Sequence, residues 1–124
     1  MSKPAFSCNV VARSLPEQTD AAKDQYAYAY TVTITNTGDT AAQLIAREWW
    51  ITDNHGQVQE VRGLGVVGHQ PLLAPGETFE YTSGTVLATA TGSMRGSYFV
   101  VAVDGTRFDA PIAEFTLAVP RSLH

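Results

Sequence analysis

A chain of 124 residues with 44% hydrophobic and 16% charged content is long enough for one domain around a single core and too apolar to stay disordered. Its net charge of −4 argues against generic binding to nucleic acid or anionic membranes, both of which need a basic surface. No apolar run approaches the roughly 20 residues of a membrane span, and Met1-Ser2-Lys3-Pro4 lacks the apolar core of a signal peptide, so a cytoplasmic location is expected.

The elements predicted along the chain are strands. A first strand over Phe6–Ala12 contains the single cysteine, Cys8, which cannot close an intramolecular disulfide and reads as a small packed hydrophobe. Pro16 to Asp24 is polar apart from Ala21-Ala22 and predicts a loop. From Tyr26 to Thr35 every even position is large and every odd one small or hydroxylated, the period of a half-buried strand with Thr31, Thr33 and Thr35 on its solvent side. Asn36-Thr37-Gly38-Asp39 turns the chain into a strand over Leu44–Thr52, and Asp53-Asn54-His55-Gly56 predicts a hairpin into Gln57–Arg62. Pro75-Gly76 suits a type II turn before Thr78–Thr82. Asp104-Gly105 predicts a tight hairpin between Met94–Val103 and Arg107–Asp109, and a break at Pro111 precedes a last strand over Glu114–Val119. About seven or eight strands and no clear helix predict a single all-β domain over residues 1–124, an immunoglobulin-like or fibronectin type III-like β-sandwich. Tyr98, near the start of the penultimate strand, resembles a tyrosine corner whose hydroxyl bonds nearby backbone.

Gly63, Gly65 and Gly68 have the spacing of a dinucleotide-binding loop. Such a loop needs a helix whose amide groups meet the pyrophosphate, and Pro71 and Pro75-Gly76 leave no room for one. Two readings stay open. Turn amides alone can form an anion nest, with Arg62 as the cation, or the glycines serve only the backbone path between sheets.

Catalytic and metal signatures are absent from the pattern. His55, His69 and His124 have no ligand spacing, and Asp53-Asn54-His55-Gly56 is what a hairpin selects anyway. Ser83, Ser93 and Ser97 lie in no nucleophile elbow, and Glu77 and Glu80 fall on opposite faces of one strand. No catalytic residue, metal site or cofactor is therefore expected.

Strand parity gives a better lead. Placing Ile45, Trp49 and Ile51 inward, with Arg47 at the start of that strand, sends Glu48, Trp50 and Thr52 outward. Packing Met94, Tyr98 and Val100 inward leaves Phe99 and Val101 facing out. The two strands are neighbours in such sandwiches, so Trp50, Phe99 and Val101 are expected to form an apolar patch for a protein partner, a homodimer being one form of it.

Tyr26–Thr35, Arg47–Asp53, the glycine loop ending His69-Gln70-Pro71, Ala74-Pro75-Gly76-Glu77, Tyr81-Thr82-Ser83-Gly84 and Leu117-Ala118-Val119-Pro120 together resemble the ApaG family over nearly the whole chain. The resemblance implies a fibronectin type III-like fold and a bacterial cytoplasmic protein. It also implies a link to magnesium and cobalt sensitivity, and a gene neighbour that hydrolyses dinucleoside tetraphosphates. Related domains in an F-box protein and a polymerase delta-interacting protein imply protein binding. The functional expectation is a non-catalytic module for protein–protein interaction through the Trp50 face or the glycine loop. The alternative is a phosphate- or nucleotide-binding regulator acting through Gly63, Gly65, Gly68 and Arg62.

Overall fold

The computed structural model describes residues 3–119, so Pro120 and His124 lie outside the described residues. Eight strands are found among them: β1 Phe6–Ser14, β2 Tyr26–Asn36, β3 Ala42–Asp53, β4 Val58–Leu64, β5 Leu72–Leu73, β6 Thr78–Leu87, β7 Gly92–Ala102 and β8 Arg107–Leu117. All pair antiparallel. One sheet runs β1-β2-β6, and the other runs β4-β3-β7-β8 with β5 added on β3, giving the predicted two-layer sandwich. No described helix is long and apolar enough to cross a membrane.

The alternation read in β2 holds. Tyr28, Tyr30, Val32 and Ile34 are buried in the core, while Thr31 and Thr82 hydroxyls meet at 2.7 Å on the outer face. Ala27 and Ala29 are buried as well, and the chain before β2 folds back onto Ala27. That segment forms two short 3-10 turns, Pro16–Gln18 and Ala21–Lys23. The Ala27 amide donates to Thr19 Oγ1 at 3.0 Å, and the Leu15 amide donates to Ala27 O at 2.9 Å.

Trp49 is the largest fully buried side chain, with ring centroids of Tyr30, Phe115 and Tyr98 at 5.4, 6.0 and 6.3 Å. Gly96 makes this possible, since a Cβ there would stand 2.8 Å from the indole. Each aliphatic side chain sealed around these rings, such as Val32, Leu44 or Val100, contributes about 1.5–3 kcal/mol by leaving water. Asn36 is the buried polar group that fastens the layers. Its Nδ2 donates to Thr40 O at 2.9 Å and Leu73 O at 2.8 Å, and its Oδ1 accepts from the Gly38 amide at 2.9 Å.

Three sequence expectations need correction. Ile45 does not point into the core with Trp49, because the pairing of β3 with β7 shifts between Leu44 and Ala46. This β-bulge puts Leu44 in the core and keeps Trp49 and Ile51 there too. Pro111 does not break the last strand. β8 is continuous from Arg107 to Leu117, and as an edge strand it has one side without a partner strand, where a missing N–H is tolerated. Tyr98 makes no bond to nearby backbone. Its hydroxyl meets that of Tyr81 across the sandwich, and a bond from tyrosine to backbone is made instead by Tyr28, to Ala90 O.

Candidate functional site

The glycine segment is the connection between β4 and β5, and it folds as a small hairpin. Val66 and His69 exchange both backbone hydrogen bonds, at 2.7 and 2.9 Å. The two residues between them have positive φ, Val67 at 48° and Gly68 at 80°, as a type I′ turn requires. Gly65 also has positive φ, 64°, and a Cβ there would stand 2.3 Å from His69 O. Its amide donates to Ile45 O at 2.8 Å, so the β-bulge and the hairpin are tied together. Gly63 has another reason to be glycine: the Arg47 guanidinium lies across it, 2.7 Å from where a Cβ would be.

This geometry bears on anion binding. The amides of Gly65, Val66 and His69 are spent on backbone carbonyls, which leaves only Val67 and Gly68 to face a phosphate. Arg62 is engaged as well. Its Nη2 lies 2.5 Å from a Glu60 oxygen and 3.0 Å from a Glu48 oxygen. The hydrogen bond to Glu60, and then the charges of Glu48 and Glu60, hold the guanidinium above its ordinary pKa.

The outer face of the larger sheet carries the other candidate residues. Trp50 points outward, as parity predicted, and the Arg95 guanidinium sits 4.6 Å from its ring centroid. Phe99 and Val101 lie further along β7, paired with Ala46 and Gln43. The three do not make one unbroken patch, because Glu48 and Ser97 pair in the row between Trp50 and Phe99. Phe99 has different apolar company. Leu64 and Phe99 both pair with Ala46, one on each side, and Leu72 and Val101 both pair with Gln43. Leu64 is 74% exposed, Leu72 58% and Phe99 37%.

A depression of about 390 Å³ opens there, lined by Ala46, Phe99 and Leu64 together with the charged Arg47, Glu48, Arg62 and Asp109. The sequence reading missed Leu64 and Leu72. The Asp53–Gly56 hairpin fixes the register of β4 on β3, and that register alone would have placed Leu64 beside Ala46. Among the described residues, no three His, Cys, Asp or Glu side chains come together as a metal site would need.

The ApaG domain matches residues 16–102 of this chain. Similar curated proteins include "Protein ApaG" of Ralstonia nicotianae, 60% identical over 100% of both chains. Another is "Protein ApaG" of Nitrosospira multiformis, 66% identical over 89% of this chain and 87% of that protein. A solved structure from Bordetella pertussis, described as an ApaA protein, superposes with a TM-score of 0.93 at 59% identity. It covers 96% of this chain and 97% of its own. The C-terminal domain of wzt, 10% identical with a TM-score of 0.56 over 99% of this chain and 78% of its own, shares the fold alone.

Proposed function

For a chain that belongs to the ApaG domain family, we propose a non-catalytic module that docks a protein partner on the outer face of its larger sheet. One observation carries this reading. Leu64 and Phe99 line the depression beside Ala46, Leu72 and Val101 flank Gln43 on the same face, and Leu64, Leu72 and Phe99 are exposed. Apolar side chains gathered over a concavity and rimmed by charge are how interaction faces are commonly built. Trp50, roofed by Arg95, forms the polar margin of this face rather than its centre.

The nucleotide alternative keeps two amides and a cation that two carboxylates already engage, so the geometry favours the protein-docking reading. The link to magnesium and cobalt that the family resemblance implies would then run through the partner.

The test compares affinity capture and sedimentation for the wild type, Phe99→Asp, Leu64→Asp and Gly68→Ala, each first checked by its unfolding midpoint. Loss of a specific partner, or of self-association, in the first two variants alone supports the reading. Equal capture by all four, or loss confined to Gly68→Ala, refutes it.

A further inference from the structure

The sandwich is closed on one flank and open on the other. β1 packs against β8 on the closed side, while β4 and β6, the remaining edge strands of the two sheets, border a cleft of about 540 Å³. Its depth comes from inward-facing rings and aliphatic groups, Tyr30 and Trp49 above all, with Val61 toward the β4 edge. Its volume falls in the range typical of small-molecule sites, roughly 300–1,000 Å³.

The polar atoms in this cleft are the informative part. Arg47 pairs in register with Gly63, which gives its guanidinium room. Its Nη1 donates to Leu64 O at 2.9 Å and to Gly65 O at 3.0 Å, so the group is held by two carbonyls. Nε and Nη2 have no partner among the described residues, and no described carboxylate pairs with this half-buried cation. Trp49 and Tyr30 add to it. They are only 2% and 7% exposed, yet neither the indole N–H nor the phenol hydroxyl has a hydrogen-bond partner among the described residues. No side-chain nitrogen or oxygen is both sealed from solvent and unpaired among the described residues, so both atoms keep some solvent contact, and both side chains line the cleft. Ser83 and Thr85, on the inner side of β6, line the opposite wall.

We propose that this cleft binds a small organic carboxylate with an aromatic or apolar body. The head group would sit against the free edge of the Arg47 guanidinium, with the Trp49 N–H and Tyr30 hydroxyl within the same space, and the body would lie along Val61 and the Trp49 ring. The match is chemical. A planar guanidinium with Nε–H and Nη2–H free along one edge is made for a planar carboxylate, and a bond between charged partners is roughly twice as strong as a neutral one. A half-buried cation without a counter-charge has lost solvation that an anionic ligand restores. One cation in a chain of net charge −4 suits a monoanion rather than a polyphosphate. The carboxylate could come from a free acid or from a chain terminus, and a capped amino acid separates these sources.

The test is NMR titration of the whole protein with 3-phenylpropionate, N-acetylphenylalanine, 3-phenylpropionamide and inorganic phosphate. The signals followed are the Trp49 indole N–H and the Arg47 Nε–H. Saturable shifts at both with the free acid in the millimolar range are expected, with the neutral amide at least about tenfold weaker. Stronger binding of N-acetylphenylalanine than of 3-phenylpropionate would identify a chain terminus as the source, and the reverse order a free acid. Arg47→Gln is expected to abolish the response, and so is Val61→Trp, which fills the cleft and leaves the cation in place. If Arg47→Gln proves unfolded, the response of Val61→Trp decides between binding in the cleft and binding elsewhere. Acid and amide binding equally, inorganic phosphate binding as well as the acid, shifts that avoid both groups, or silence at millimolar ligand each overturn the proposal.

Discussion

Tyr81 and Tyr98 hold the only described hydroxyl pair that bridges the two sheets, and removing one hydroxyl is the sharpest test of how the core is fastened. Tyr98 has no exposed surface and Tyr81 is 8% exposed. Tyr98→Phe therefore strands the Tyr81 hydroxyl where water scarcely reaches it, and an orphaned buried group costs about 1–3 kcal/mol. In a chain of 124 residues each kcal/mol lowers the melting temperature by about 4 °C. Tyr81→Phe should cost a similar amount. Removing both hydroxyls leaves no orphan, so the double variant should recover most of the loss, with a coupling of about 1–2 kcal/mol in a four-variant cycle of urea unfolding at neutral pH. The same pair sets an alkaline limit. Burial raises both phenols well above their ordinary value of 10.0, so above that pH the unfolded chain releases protons that the folded chain retains. Stability is full below about pH 10 and falls as the pH rises beyond it, by up to about 1.4 kcal/mol per pH unit for each tyrosine. A double variant as unstable as the two single losses summed, or a stability that stays flat from about pH 9 to 11.5, would refute this account.

Two further outcomes can be checked on the same material. Val67 holds a left-handed backbone at φ 48°, a conformation that strains a β-branched residue, so Val67→Asn should raise stability by about 1 kcal/mol in urea unfolding; a loss would show that the exposed valine makes an unseen contact. Burial pushes the Cys8 thiol up from 9.0 to about 11. At about pH 8 its thiolate fraction is then about 100-fold smaller than in the unfolded chain, and alkylation should slow by about that factor. Equal rates for folded and unfolded protein would contradict the burial.

What could be read in the residues depended on how far a feature reaches along the chain. The Tyr26–Thr35 alternation, the Asp53–Gly56 and Asp104–Gly105 turns and the outward parity of Trp50 are local, and the structure keeps them. Ile45 was misplaced because a bulge changes parity without altering the apolar pattern on either side of it. Pro111 misled because a strand's place at the sheet edge is a property of the fold, not of the residues around the proline. The glycine spacing resembled a phosphate loop, yet Gly63 makes room for Arg47 and Gly68 completes a tight turn. The cleft was illegible for a related reason. Arg47, Trp49, Tyr30 and Ser83 come from three strands in two sheets, and no spacing along the chain announces that they share a space.

Asn36 has a consequence for chemistry as well as packing. It ends β2 in one sheet and grips Leu73 O of β5 in the other, a tie between layers of the kind that many sandwiches make with a cystine bridge. With one cysteine in the chain, no such bridge can form inside it. An amide clasp cannot be reduced or reshuffled, so the closure of this end of the sandwich is indifferent to the thiol–disulfide balance of its surroundings.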